Sequence, residues 1–277
     1  MPEKEIIPVT NDVMFKALFV KCPEALAGFL ASALKIERST IKNVRIKNPE
    51  LTPSCYEGKL TRLDILLELD DDVINIEMQV SKTADYKDRS LFYWARVYND
   101  ALKEGQSYNE SKKCICINIL NFTMFEEWEE YHSSFSVRED THNVRLTDKL
   151  EIHFLELTKV KKITRDQNEV DSLKLWMQLF KAKSKEELDM LSNTTVDDIR
   201  TSVSVIYDLS EDEKIREYVR QREKAAFDYG ADMANAKAKG KYETLAELVR
   251  DGILTLEDAS ARANMSITEF EEKSGLK

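Results

Sequence analysis

Acidic and amide side chains interrupt two neighbouring apolar runs within residues 60–82 (LTRLDILLELDDDVINIEMQVSK). Asp64 breaks the first run, and Glu77 and Gln79 break the second. Both runs have the length and composition of strands. Ionised carboxylates rarely enter a core strand unless their charge is compensated. The way the two runs pair therefore decides whether the acids form one site.

The connection at residues 70–72 (DDD) sets that pairing. If the turn has two residues, Leu69 pairs with Asp72, and Asp64 then lies directly opposite Glu77, with Cα atoms about 4.5–5.5 Å apart. A four-residue loop keeps both acids on one face. A three-residue loop places them on opposite faces, because side chains alternate along a strand.

The alternation of the two runs predicts a hairpin with two unlike faces. The apolar face contains Ile65, Leu67, Leu69, Ile74, Ile76, Met78 and Val80, and the polar face contains Asp64, Leu66, Glu68, Asn75, Glu77 and Gln79, with Arg62 near Gln79. Like charges opposite each other destabilise a sheet, and a hard cation such as Mg²⁺ removes that repulsion. The alternative is an ordinary hairpin with a polar outer face.

The rest of the first part of the chain alternates between helical and strand patterns. Helices are predicted at residues 10–36 and 84–104, and strands at 41–46, 113–122 and 150–157. Pro23 predicts a break or a second helix start near Cys22. Gly105 stands where a helix C-cap belongs.

Strand patterns vanish after about residue 159, and charged helical patterns replace them. Helices are predicted at 171–180, 186–191, 196–209 and 212–230, followed by a hinge or mobile helix at 233–242 and short capped helices beginning near Thr255 and Ser266. We expect one domain over residues 1–162 and a charged helical region over 163–277. The C-terminal helices could form a helix-turn-helix that reads DNA, but packing or homo-oligomer formation is the favoured role, because the last helix is acidic rather than basic.

Composition excludes several classes of function. A net charge of -10 gives no general attraction to nucleic acid, so DNA contact needs a local basic patch or bound cations. No apolar run has the length of a membrane span and no signal-peptide pattern is present, which predicts a cytoplasmic protein without a membrane partner.

The four cysteines are expected to be free thiols. No phosphate-binding glycine loop, GxSxG motif or zinc-ligand spacing occurs. Residues 125–135 (FEEWEEYHSSF) predict a surface amphipathic helix or a partner surface.

An ordered series of short motifs resembles the recombination-promoting nuclease / transposase (Rpn) family of the PD-(D/E)XK nuclease superfamily. The series comprises NDVMFKALF at 11–19, the lone Asp64, IEMQV at 76–80, Arg89-x-x-x-Tyr93-Trp94, Gly105-x-x-Tyr108, ICINILNF at 115–122 and FLELTK at 154–159. The resemblance covers about residues 8–160. It implies an α/β fold with a PD-(D/E)XK restriction-endonuclease-like core, in which helices flank a mixed sheet, followed by an all-helical C-terminal region.

The resemblance also implies a Mg²⁺-dependent DNA endonuclease, with Mn²⁺ as a substitute metal, linked to recombination or mobile elements. Asp64 and Glu77 match the two acidic metal ligands, and the backbone carbonyl of Met78 matches the third oxygen ligand. Gln79 stands where the superfamily usually has lysine. With Arg89, these two acids and this glutamine form the expected catalytic set.

Three questions stay open on the sequence. Glutamine cannot carry the charge of lysine, so the positive charge could come from Arg62 or Arg89, unless Arg89 forms a structural salt bridge. Asp12 is a candidate third acid or a helix cap. The alternative to an enzyme is a catalytically degenerate scaffold that binds other proteins through its helical C-terminal region.

Overall fold

The computed structural model describes residues 5–48, 64–70, 72–102, 104–161 and 171–276. The chain divides into two compact units, the first ending at Val219 and the second running from Arg220 to the C-terminus. The domain boundary predicted between residues 162 and 163 lies outside the described residues and stays a prediction.

Unit one is a mixed sheet flanked by helices, as predicted. Its helices are α1 (Asp12–Lys21), α2 (Pro23–Leu34), α3 (Tyr86–Ala101), α4 (Ser172–Lys181), α5 (Lys185–Ser192) and α6 (Asp197–Glu211), and its strands are β1 (Val44–Ile46), β2 (Ile65–Leu69), β3 (Asp72–Gln79), β4 (Cys114–Leu120), β5 (His132–Phe135) and β6 (Leu150–Glu156). The strand order is β1-β2-β3-β4-β6-β5. Strands β3, β4 and β6 run parallel, and the other neighbours pair antiparallel.

The two faces of the sheet carry different helices. One face shares a single hydrophobic core with α1, α2, α4 and α6, and an aromatic cluster of Phe15, Phe19, Phe29, Trp176 and Phe180 fills its centre. Helix α3 packs on the other face, against β3, β4 and β6. This leaves the outer face of β2 beside α3, where the polar half of the hairpin lies.

The β2–β3 hairpin has the register that a two-residue turn predicts. Leu69 pairs with Asp72, and the pairing continues to Ile65 and Ile76. Asp70 has a φ of 49°, the left-handed conformation that such turns require, while Asp71 lies outside the described residues. The predicted apolar face is buried in the core except for Val80, which is 49% exposed because β3 ends at Gln79.

The predicted helices agree with the structure in most places. The break at Cys22 is confirmed, and α1 and α2 meet at an angle of 104°. No single helix among the described ranges is long and apolar enough to cross a membrane, and only this bent pair passes by length and composition together. Of the four cysteines, Cys22, Cys114 and Cys116 are buried free thiols, as predicted, and Cys55 lies outside the described residues.

Unit two contains the end of a long helix and two short ones. Helix α7 (Glu213–Arg250) continues through residues 233–242, so the helical alternative for that stretch is confirmed. Helices α8 (Leu256–Ala263) and α9 (Ile267–Ser274) begin at the predicted caps, where Thr255 and Ser266 accept backbone hydrogen bonds. Leu245, Ala259, Ala263 and Phe270 form the small core of the unit.

The helix predicted for residues 125–135 is wrong, because this stretch is a loop followed by the edge strand β5. Its aromatic residues pack against the sheet and do not form the apolar side of a helix. Phe125 and Phe135 pack on Phe154 of β6 at ring-centroid distances of 5.3 and 5.6 Å, and Trp128 stacks on Phe125 at 4.8 Å. Tertiary contacts thus override the local amphipathic pattern.

A buried ion pair holds this loop to the end of β6. Glu156 Oε1 accepts the backbone N–H groups of Met124 and Phe125 at 2.6 and 3.1 Å. Lys159 Nζ lies 2.8 Å from Glu156 Oε2 and donates to the carbonyl oxygens of Phe125 and Trp128. Because Glu156 is fully buried, its charge depends on Lys159 for compensation. The FLELTK motif therefore has a structural role here.

We predict that Lys159→Met destabilises the protein by about 3–5 kcal/mol, because it leaves the Glu156 carboxylate buried and uncompensated. Urea denaturation followed by circular dichroism measures the change. Lys161→Met, at an exposed position nearby, is the control and should alter stability by less than about 0.5 kcal/mol. Equal stability of Lys159→Met and wild type would contradict this role.

His132 on β5 makes stability depend on pH. Its Nε2 lies 2.9 Å from Nδ1 of His153. Burial, followed by the charges of His153 and Lys35, lowers the pKa of His132 to about 4, against a smaller opposing effect of Asp171. As pH falls from about 6.5 towards 4, the unfolded chain binds a proton that the folded chain does not, so stability is lost across that window.

We expect His132→Gln to reduce the loss of stability between pH 7 and pH 5 by about 1 kcal/mol, after allowing for partial exposure of the ring. Denaturant titrations at the two pH values measure it. His142→Gln, at an exposed loop position, is the control. The same pH dependence in wild type and His132→Gln would show that His132 does not carry this effect.

Candidate functional site

The acids that interrupt the two apolar runs meet at one end of the β2–β3 hairpin. Asp64 directly precedes β2, and Glu77 lies near the end of β3. The Asp64 backbone N–H donates to Glu77 Oε1 at 3.4 Å, and the Met78 backbone N–H donates to Asp64 Oδ2 at 2.8 Å. Both side chains are partly buried. The shared face predicted from the hairpin register is therefore confirmed.

Asn75 orients the Glu77 carboxylate through a hydrogen bond. It is fully buried on the same face of β3, and its Nδ2 donates to Glu77 Oε1 at 2.9 Å. Its Oδ1 is buried and has no hydrogen-bond partner in the part of the chain that the structure describes. A buried unsatisfied acceptor is costly. The pattern placed Asn75 on the polar face, but only the structure links it to Glu77.

The surroundings of Glu77 shift the pKa of its carboxyl group. Burial raises its pKa well above the usual value, and the negative charge of Asp64 raises it further. Hydrogen bonds from Asn75 and the Asp64 backbone, and the charge of Arg89, act in the opposite direction. Two carboxylates held together in partial burial are the arrangement that a bound cation would relieve.

Arg89 brings a positive charge to Gln79. Its Nη2 donates to Gln79 Oε1 at 2.8 Å, and Gln79 Nε2 donates to the carbonyl oxygen of Ser81 at 2.9 Å. The guanidinium group lies over the rings of Tyr86 and Tyr93, 4.7 and 5.9 Å from their centroids. The glutamine that replaces the expected lysine thus has an arginine bound to it. Arg62, the other candidate, lies outside the described residues.

The order of these residues along the chain matches a family model described as PD-(D/E)XK nuclease family transposase, over residues 9–236. The chain belongs to this family. The family resemblance seen in the motif series is therefore confirmed, as is the α/β fold class that it implied. No curated protein and no solved structure matches the chain.

In this family member, a buried hydrogen-bond chain anchors the start of α3 to the sheet. Tyr86 donates from its hydroxyl to Asn118 Oδ1 at 3.0 Å, and Asn118 Nδ2 donates to the carbonyl oxygen of His153 at 3.1 Å. Asn118 pairs with Glu77 in the β3–β4 register. Sequence reasoning missed both residues, although Asn118 interrupts an apolar run just as Glu77 does.

Asp12 lies at the first position of α1, where its Oδ1 accepts the Val13 backbone N–H at 2.9 Å. The N-cap itself is Asn11, which accepts from Val13 and Met14. Among the described residues, no three His, Cys, Asp or Glu side chains are grouped so that they could hold a metal ion. Asp12 therefore does not complete a three-acid site, and its position supports the helix-start alternative.

The two carboxylates fit a hard divalent cation. They supply oxygen ligands of the kind that Mg²⁺ prefers, while the backbone N–H groups of Asp64 and Met78 and the amide of Asn75 donate hydrogen bonds to them. Two carboxylates and a backbone carbonyl leave positions for water, as Mg²⁺ usually requires. The residues present are therefore compatible with the metal that the family implies.

We predict that Asp64→Asn makes the metal-free protein more stable by about 1 kcal/mol at pH 8, because it removes one of two adjacent negative charges and lowers the cost of ionising Glu77. Urea denaturation in the presence of a chelator measures the change. Asp140→Asn, in an exposed turn outside the hairpin, is the matched control and removes a charge away from Glu77. Stabilisation no larger than that of the control would contradict the predicted repulsion.

Proposed function

We propose that the chain is a metal-dependent DNA endonuclease that hydrolyses phosphodiester bonds during recombination or the movement of mobile elements. The observation that carries the proposal is the meeting of Asp64 and Glu77 at one end of the β2–β3 hairpin. Membership of a nuclease family of transposases supports the same chemistry.

Asp64, Glu77 and the backbone carbonyl of Met78 would hold Mg²⁺, with Mn²⁺ as a substitute. The bound ion would activate a water molecule and stabilise the negative charge that develops on the phosphate. Asn75 would keep the Glu77 carboxylate oriented through the bond from its amide. The chain thus contributes ligands from two adjacent strands, which a rigid sheet holds in place.

Arg89 would supply the positive charge that the superfamily lysine usually provides. Gln79 accepts a hydrogen bond from Arg89 and therefore directs the guanidinium towards the acids. Arginine binds phosphate oxygens through several N–H groups of fixed geometry. In this proposal Arg89 contacts the phosphate in the transition state, and Gln79 positions Arg89.

DNA would be the partner of this end of the hairpin, despite the overall net charge of -10. Bound cations and arginine residues would supply the local attraction. We further propose that the charged helical region over 163–277 contributes to homo-oligomer formation and that the protein acts in the cytoplasm.

Plasmid nicking in the presence of Mg²⁺ tests the proposed function. We expect Asp64→Ala and Glu77→Ala to lower the rate at least about 100-fold, since each removes a metal ligand. Asp140→Ala, which also removes one acid but from an exposed turn outside the β2–β3 hairpin, should cleave at the wild-type rate. Equal nicking by all four proteins would overturn the assignment.

Calorimetric titration with Mg²⁺ and Mn²⁺ separates the enzyme from the degenerate scaffold. The enzyme requires binding that weakens in Glu77→Gln, a variant of nearly the same shape without the charge. Metal binding that is absent, or that is unaffected by this substitution, would favour a scaffold that binds other proteins through its C-terminal helices.

We predict that Arg89→Met lowers kcat about 10- to 1,000-fold and leaves Mg²⁺ affinity within about threefold, because the guanidinium acts on the phosphate rather than on the metal. Adding Gln79→Lys to Arg89→Met should restore part of kcat by returning a positive charge to the superfamily position. Single-turnover cleavage and metal titration measure the two effects. Wild-type kcat in Arg89→Met would contradict the role of Arg89.

A further inference from the structure

Phe92 on α3 is an exposed aromatic side chain close to the candidate site. It is 62% exposed, and it follows Arg89 by one helical turn. Residues three and four apart on a helix are neighbours on its surface, so Arg89, Phe92 and Arg96 lie along one side of α3. Arg89 is hydrogen-bonded to Gln79 at the candidate site. The side of α3 that carries Phe92 and Arg96 therefore begins at the site and continues along the helix.

A series of cation–π and tilted aromatic contacts connects the site to Phe92. The Arg89 guanidinium lies over Tyr86 and Tyr93, and the Tyr93 ring centroid is 6.5 Å from that of Phe92. Tyr86 and Tyr93 are buried, whereas the Phe92 ring faces solvent. The last ring of the series is therefore available to a further planar group.

Two arginines on the side of α3 that carries Phe92 can contact phosphate, and one carboxylate, that of Asp88 four residues before Phe92, lies on the same surface. The Arg96 side chain is 40% exposed, and its Nε lies 3.9 Å from the exposed carboxylate of Asp100. Exposed ion pairs of this length contribute little to stability, so Arg96 can exchange Asp100 for a phosphate at small cost. An aromatic ring between two arginines is the combination that binds single-stranded nucleic acid, through base stacking and backbone contacts.

We propose that Phe92 stacks on an unpaired base of the DNA, with Arg96 on a neighbouring phosphate, so that the substrate is DNA containing an unpaired base near the cleavage point. This inference deepens the proposed nuclease function and rests on it. In a continuous duplex each base is covered on both faces by its neighbours, so an exposed ring can stack only on a base that is single-stranded, bulged or extruded.

The test measures binding of the full chain to fluorescent oligonucleotides, with Ca²⁺ in place of Mg²⁺. The probes are a duplex with one bulged 2-aminopurine, the same duplex with an abasic site at the bulge, and the fully paired duplex. Phe92→Ala should weaken binding to the bulged probe about tenfold, the loss of one base–aromatic stack, and change the other two by less than about twofold. Phe92→Trp should retain tight binding and quench the 2-aminopurine.

Leu91→Ala is the matched control, since Leu91 is 52% exposed but lies about 160° around the helix from Arg89. It should bind all three probes as wild type does. The proposal is overturned if Phe92→Ala weakens all probes equally or none of them, or if wild type does not bind the bulged probe. It is also overturned if Phe92→Ala instead changes the oligomeric state in size-exclusion chromatography with light scattering, because the ring would then serve protein contact.

The same measurements separate this inference from the proposed function. Asp64-dependent cleavage without a Phe92-dependent preference would reject the stacking role and leave the nuclease intact. Phe92-dependent binding of the bulged probe without cleavage would reject the nuclease and leave a DNA-binding surface on α3.

Discussion

The pairing register of β2 and β3 is the constraint on which the candidate site depends. Leu69 pairs with Asp72, and this places Asp64 opposite Glu77 at the far end of the hairpin. A shift of one residue would turn every side chain of one strand to the other face. The apolar face would then leave the core, so burial of that face and the geometry of the acids are specified together.

The polar groups behind the acids show why the site is held in place. Asn75 and Asn118 are buried in strands that are otherwise apolar, and each donates its amide to one defined acceptor. Asn118 also receives the Tyr86 hydroxyl, which anchors α3 and with it Arg89. A buried polar group is costly unless it is paired, so these bonds select one arrangement of strand and helix. The positioned acids and the positioned arginine therefore depend on the same interior.

Sequence patterns predicted the secondary structure correctly where they reflect burial, and wrongly where contacts with distant residues determine it. Helical stripes and alternating runs predicted most of the elements, because they reflect which side of an element meets the core. Residues 125–135 carried a helical pattern but form a loop and an edge strand, since the buried Glu156–Lys159 pair binds their backbone. The bonding partners of that pair are far apart in sequence, and no local signal indicates them.

The sequence alone predicted the hairpin, the face that Asp64 and Glu77 share, and the family that the chain resembles, because the alternation of apolar and polar residues shows which side of a strand is buried. It left the length of the turn and the source of the missing positive charge open. The tertiary structure brings Arg89 to Gln79 and anchors α3 through Tyr86 and Asn118. Those contacts join a helix to two strands. The distance between side chains on separate elements depends on how the elements pack, and the residue pattern of a single helix or strand does not determine that packing.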